Sequence, residues 1–117
     1  MATAERHATR RTTMMLDGLR EVFASDRALA QALGVDPAQV TRWRQGQGPS
    51  DAAWDRLVDL FAVVTKLEGY YPPSRIHKWL VGANAHLGDR SPLFLLGLGR
   101  AAEVIGAIQA TKAGAFA

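Results

Sequence analysis

The sequence predicts an all-α protein, and three observations carry that expectation. Apolar residues recur at helical spacing in one stretch after another. No run alternates apolar and polar residues strongly enough to mark a strand. Capping residues and prolines stand at the breaks between the apolar stretches. The expected layout is an N-terminal helix-turn-helix bundle, a long central helix and a small helical domain at the C-terminal end.

Residues 1–10 are polar, small and mixed in charge, and read as a flexible arm. DNA-backbone contact by Arg6, Arg10 and Arg11 is the alternative use for them. From Thr12 to Ala24, Met15, Leu16, Leu19, Val22 and Phe23 predict a first helix.

The stretch DRALAQALGVDPAQVTRWRQ, Asp26 to Gln45, organises the region 11–50. Leu29, Ala30 and Leu33 mark the inner face of one short helix, and Val40 and Trp43 that of a second. Ser25 or Asp26 can cap the first, Gly34 suits its exit, and Asp36-Pro37 caps and starts the second. Small Ala30 at a helix crossing completes the pattern of a helix-turn-helix. With Val40 and Trp43 turned inward, Gln39, Thr41, Arg42, Arg44 and Gln45 fall on or beside the exposed side. Arginine can pair with guanine and glutamine with adenine, and all five can hold phosphate, so these are the candidate DNA-binding residues. A corner used only for packing or dimerisation is the plainer alternative.

Ser50 caps the central helix, 51–72 with its ending, whose longest apolar seam is Ala53, Leu57, Leu60, Val64 and Leu67. Trp54, Val58 and Phe61 form a second seam, so the helix is expected to be covered on two sides. Tyr70-Tyr71-Pro72-Pro73 ends it. In 73–117, a short helix carries Ile76, Trp79 and Leu80, GANAHLGDR is a compact loop, and Ser91-Pro92 starts another helix. Val104, Ile105 and Ile108 point inward on the last helix, and Gly114 is expected to end the order.

Composition narrows the function classes. At 117 residues with 48% apolar content, the chain can bury one core or two small ones. A net charge of +3 permits nucleic-acid binding without demanding it. With no cysteine, thiolate metal sites and disulfides are out, and a cytoplasmic protein is expected. No apolar run nears the ~20 residues of a membrane span, and the start lacks the apolar core of a signal peptide.

Catalytic chemistry is not visible. Gly97-Leu98-Gly99 after LFLL imitates a dinucleotide fingerprint, but a strand before it, a strand after it and a distant acid are missing. His7, His77 and His86 lack second ligands at metal spacing, and Asp55 and Asp59 read as a solvated edge beside Arg56. No catalytic residue, metal or cofactor is expected.

From Trp79 onward the order of residues carries a resemblance. Trp79-Leu80, Asn84, Leu87-Gly88, Ser91-Pro92, Leu95-Leu96, Glu103-Val104 and Ile108 follow one another as in the toxin-binding domain of Xre/MbcA/ParS-type antitoxins. The helix-turn-helix and central helix are similar to the N-terminal part of the same proteins, and Gly114-Ala115-Phe116-Ala117 is similar to the ending of mycobacterial members. The sequence departs from the family at Ala83, usually proline, and at Phe94, often a charged residue. The resemblance implies a type II toxin–antitoxin system and a RES-domain toxin that degrades NAD as partner. It also implies a homodimer and an operon repressed through the helix-turn-helix. The toxin-binding residues it implies are Trp79, Asn84, Leu87, Arg90, Gly114, Phe116 and Ala117, with the small-residue tail obstructing the toxin's active-site mouth. The alternative is a stand-alone helix-turn-helix transcriptional regulator whose C-terminal half only dimerises.

Overall fold

The computed structural model describes residues 9–115. Seven α-helices and one 3-10 turn follow one another along this span. An isolated antiparallel bridge between Asn84 and Arg90 is its only extended pairing among the described residues. The fold is therefore all-α, as the apolar periodicity requires. The chain divides into two compact units after Phe61.

The first unit holds α1 (Thr9–Leu19), α2 (Asp26–Leu33), α3 (Pro37–Arg44) and the start of α4 (Asp51–Glu68). α3 packs against both α1 and α2. Met15, Leu16, Leu19, Phe23, Leu29, Ala30, Leu33, Val40 and Trp43 are buried, with Ala53, Leu57 and Leu60 of α4. Burial at this density supplies the driving force that helices of eight residues lack by themselves.

The caps explain the turn between α2 and α3. Ser25 Oγ accepts the Ala28 N–H at 3.0 Å, and Asp36 Oδ1 accepts that of Ala38 at 2.8 Å. Between them Gly34 takes a left-handed φ of 72°, which frees Val35 N–H to donate to the Ala30 carbonyl. Arg56 Nη1 donates to the orphan carbonyl of Leu33 at 3.4 Å.

The first helix is shorter than expected at its far end, stopping at Leu19 instead of Ala24. Arg20 turns back over the following turn, donating from Nε to the Phe23 carbonyl and from Nη2 to that of Ala24. Those bonds satisfy carbonyls that a continuing helix would have used, and Phe23 still reaches the core. Ser50 starts α4 as expected, accepting from Ala53 N–H at 3.2 Å. The seam Ala53, Leu57, Leu60, Val64 and Leu67 is buried throughout, and Val63 joins it. The second seam is only partly covered, since Trp54 and Phe61 are half-buried and Val58 is exposed.

The second unit contains the end of α4, α5 (Pro73–Val81), α6 (Pro92–Gly97) and α7 (Ala101–Ala115). α6 packs on α5 and α7, and the 3-10 turn Ala85–Leu87 packs on α7. The core is Val63, Val64, Leu67, Ile76, Leu80, Leu87, Leu95, Leu96, Val104, Ala107 and Ile108. Ser91 Oγ accepts from Phe94 N–H at 3.1 Å, with Pro92 in the first turn. Ile105 is half-buried, not inward.

Gly114 does not end the helical order; α7 continues through Ala115. The alanines around it favour the helix, and a lone glycine lowers that preference by only about 1 kcal/mol. Phe116 and Ala117 lie outside the described residues.

Candidate functional site

Two surfaces hold the residues singled out from the sequence, one on each unit. On α3, Val40 and Trp43 are buried and Thr41, Arg42 and Gln45 are exposed, with Gln39 half-buried. The Thr41 hydroxyl donates to the Pro37 carbonyl at 3.4 Å. The Arg42 guanidinium stands on this exposed face.

Arg44 is placed differently. Its Nε and Nη2 donate to the two carboxylate oxygens of Asp26 at 2.7 and 3.0 Å, and Nη1 donates to Asp17 at 3.0 Å. Asp26 also accepts from Arg20 Nη1 at 3.1 Å. Both Arg44 and Asp26 are half-buried, so the bidentate pair is better shielded than an ordinary surface bridge. It ties the end of α3 to the start of α2 and to α1. Arg44 therefore holds the exposed face of α3 in position more than it forms part of it. No spacing rule pairs an arginine with carboxylates 18 and 27 residues away, so the sequence offers no signal for this.

The Arg44 hydrogen bonds hold the Asp26 carboxyl below its ordinary value of 3.8, against a smaller opposing effect of burial. A carboxyl whose folded pKa is depressed adds stability above its unfolded value and loses it as the pH falls through the folded one. Asp26→Asn is thus expected to lower stability by about 1–2 kcal/mol at neutral pH. The loss should shrink in chemical denaturation below about pH 4, where the wild-type carboxyl also begins to protonate. Asp59 has the opposite sign: burial, and then the neighbouring charge of Asp55, push its carboxyl up. The two acids are more than a solvated edge, because Asp59 is half-buried.

Beside α3, Arg27, Gln31, Val35 and Pro37 line an open groove of about 360 Å³. The exposed side chains Arg27 and Gln31 extend the polar surface onto α2. They could have been found from the sequence as the positions opposite Leu29, Ala30 and Leu33.

On the second unit, a closed loop brings Asn84, Leu87 and Arg90 together. Asn84 N–H donates to the Arg90 carbonyl at 3.2 Å, and Asp89 N–H to the Asn84 carbonyl at 2.9 Å. The Asn84 side chain accepts from His86 N–H at 2.9 Å, and Arg90 Nε donates to the Leu87 carbonyl at 3.0 Å. Gly88 and Asp89 both take left-handed φ angles, 66° and 65°, which the reversal requires. Leu87 is interior, Asn84 half-buried and Arg90 exposed. Trp79 is half-buried on α5, and Gly114 is exposed in the last turn of α7.

This loop and α7 border a groove of about 440 Å³ lined by His86, Leu87, Gly88, Arg90, Glu103, Gly106, Ala107 and Ala110. Its lining combines small residues with charged ones. Arg100 donates to Glu103 from Nη2 at 2.7 Å and also from Nε. That pairing, with a lesser contribution from the Arg90 charge, lowers the Glu103 carboxyl. Phe94 and Leu98, four residues apart, are 53% and 54% exposed, and Val81 is 48% exposed.

Gly97 closes a helix, so no strand precedes the glycine pair. Among the described residues no three acidic, histidine or cysteine side chains converge as a metal site. No described helix is long and apolar enough to cross a membrane.

No family model matches the sequence, and no curated protein does. Among solved structures, the chain is similar to one in the crystal structure of the M. tuberculosis MbcT–MbcA toxin–antitoxin complex. The TM-score is 0.76 at 23% identity, over 91% of this chain and 96% of that chain. Likeness at this identity establishes a shared fold.

Proposed function

We propose that this chain is the antitoxin of a type II toxin–antitoxin pair, neutralising a RES-domain toxin that degrades NAD. The observation that carries the reading is the fold shared along nearly the whole of both chains with a member of a toxin–antitoxin complex. The run of residues from Trp79 to Ile108 supports it independently, since it resembles the toxin-binding domain of such antitoxins. In this reading residues 73–117 face the toxin. Trp79, Asn84, Leu87 and Arg90 shape one contact, and Gly114, Phe116 and Ala117 belong to an inhibitory tail. The protein works in the cytoplasm as a homodimer. The test is co-expression with the RES-domain protein of its own host. Growth and cellular NAD are expected to recover, and continued NAD loss at equal expression would refute the reading.

Residues 11–50, linked to the rest by 51–72, act as a helix-turn-helix that represses the operon. Gln39, Thr41, Arg42 and Gln45 supply the DNA-facing groups, and Arg44 keeps α3 in place. Arg42→Ala is expected to weaken operator binding about five- to tenfold with an unchanged melting temperature. Binding should also weaken steeply as salt rises, because phosphate contacts release counterions. Equal affinity of wild type and variant in a gel-shift titration would remove Arg42 from the interface. A stand-alone regulator would bind its operator just as well but leave NAD loss by the toxin untouched.

A further inference from the structure

We propose that Tyr70 and Lys112 form a clamp that fixes the last turn of α7, making both of them positioning residues for the C-terminal segment. The positioning role rests on the antitoxin reading above; the clamp itself does not.

Lys112 Nζ lies 4.7 Å from the centroid of the Tyr70 ring. The Tyr70 and Tyr71 rings are 5.8 Å apart and tilted by 47°, and the Arg75 guanidinium sits 5.0 Å from the Tyr71 centroid. Two cations thus bracket a pair of aromatic rings. The backbone that carries the rings is fixed, since Tyr70 N–H and Tyr71 N–H both donate to the Leu67 carbonyl, at 2.9 and 3.0 Å. They form a fixed platform in the turn between α4 and α5, and Lys112 reaches it from the far end of the second unit's last helix.

That end needs holding. The fully buried positions of α7 stop at Ile108; Ala110, Thr111 and Lys112 are half-buried, and Gln109, Ala113 and Gly114 are exposed. Glycine at 106 and 114 lowers the helix's own preference. Such a turn opens with a free energy near zero, so even one modest contact decides how much of the time it is closed. A cation over a partly exposed ring shifts such an equilibrium roughly two- to fivefold. The Thr111 hydroxyl, donating to the Ala107 carbonyl at 2.9 Å, ties the turn only to its own helix. Lys112 ties it to the rest of the unit.

Amide hydrogen exchange on the full-length chain tests the clamp. Tyr70→Leu and Lys112→Met are each expected to speed exchange of amides 111–114 roughly two- to fivefold. Tyr70→Trp and Lys112→Arg keep a ring and a cation and should retain protection. The double variant Tyr70→Leu/Lys112→Met should be no worse than either single one, because both remove the same contact. Unchanged exchange in Tyr70→Leu, or losses that simply add, would overturn the clamp. The same variants, assayed against the host's RES-domain toxin, should lose inhibition in the same order, with the conservative pair retaining it. Full inhibition by a variant with an opened last turn would overturn the positioning role. A wild-type chain that fails to inhibit the toxin would sink the antitoxin reading, while the exchange data would still decide the clamp.

Discussion

Removal of the five residues after Lys112 is expected to abolish toxin neutralisation while leaving the remaining fold intact. The burial of α7 explains the second half of this expectation. Its core residues are Val104, Ala107 and Ile108, all upstream of the cut, and Ala113 and Gly114 are exposed. Losing exposed residues such as Ala113 and Gly114 changes stability by about 1 kcal/mol or less. Lys112 itself stays, and with it the contact to Tyr70. The first half rests on what a small-residue ending can do. Alanine and glycine can enter a cleft too narrow for bulkier side chains, and Phe116 supplies the one large apolar group. The measurement is toxin-dependent NAD consumption with matched amounts of full-length and shortened protein. A shortened chain that neutralises as well as the full one would show that inhibition does not need the residues after Lys112.

Trp43→Ala should cause the largest loss of stability of any single change on α3, about 3–5 kcal/mol. α3 has eight residues, and only Val40 and Trp43 of them are buried. A helix that short does not persist without its packed face. Trp43 is 4% exposed, so truncation leaves a large void on the side of α3 turned away from solvent. Against a total stability of roughly 5–15 kcal/mol, this is enough to leave the first unit partly unfolded at growth temperature. Urea unfolding followed by circular dichroism gives the number directly, and a loss below about 1 kcal/mol would mean that α3 is held mainly by the Arg44 network. The comparison with Arg42→Ala is informative, because that exposed side chain should alter DNA binding and not folding.

Much of the fold was legible in the sequence because its signals are local. Ser25, Gly34, Asp36-Pro37 and Ser91-Pro92 each fix a helix end through atoms within a few residues, and each acts where expected. The long seam from Ala53 to Leu67 was readable for the same reason. The misses are tertiary. The early end of α1 depends on Arg20 folding over Phe23 and Ala24, which nothing in the periodicity of that stretch announces. The pairing of Arg44 with Asp26 and Asp17 had no signal in the sequence, since charge pairing across 18 and 27 residues is set by how helices pack. Gly114 misled because a glycine reads as a stop, although a helix rich in alanine can carry it. Of the candidate site, Asn84, Leu87 and Arg90 do share a loop, but the lining contributed by Glu103 of α7 needed the three-dimensional structure.

The closure of residues 84–90 onto themselves also bears on how the protein survives in a cell. A protease must draw a stretch of backbone out straight into its cleft before cutting. Here that would mean breaking the Asn84–Arg90 bridge, the Asp89 and His86 bonds to Asn84, and the burial of Leu87 together. Arg90 is therefore a poor cleavage point for a trypsin-like enzyme despite its exposure. Degradation of the free protein would have to begin elsewhere, at segments whose opening disrupts less.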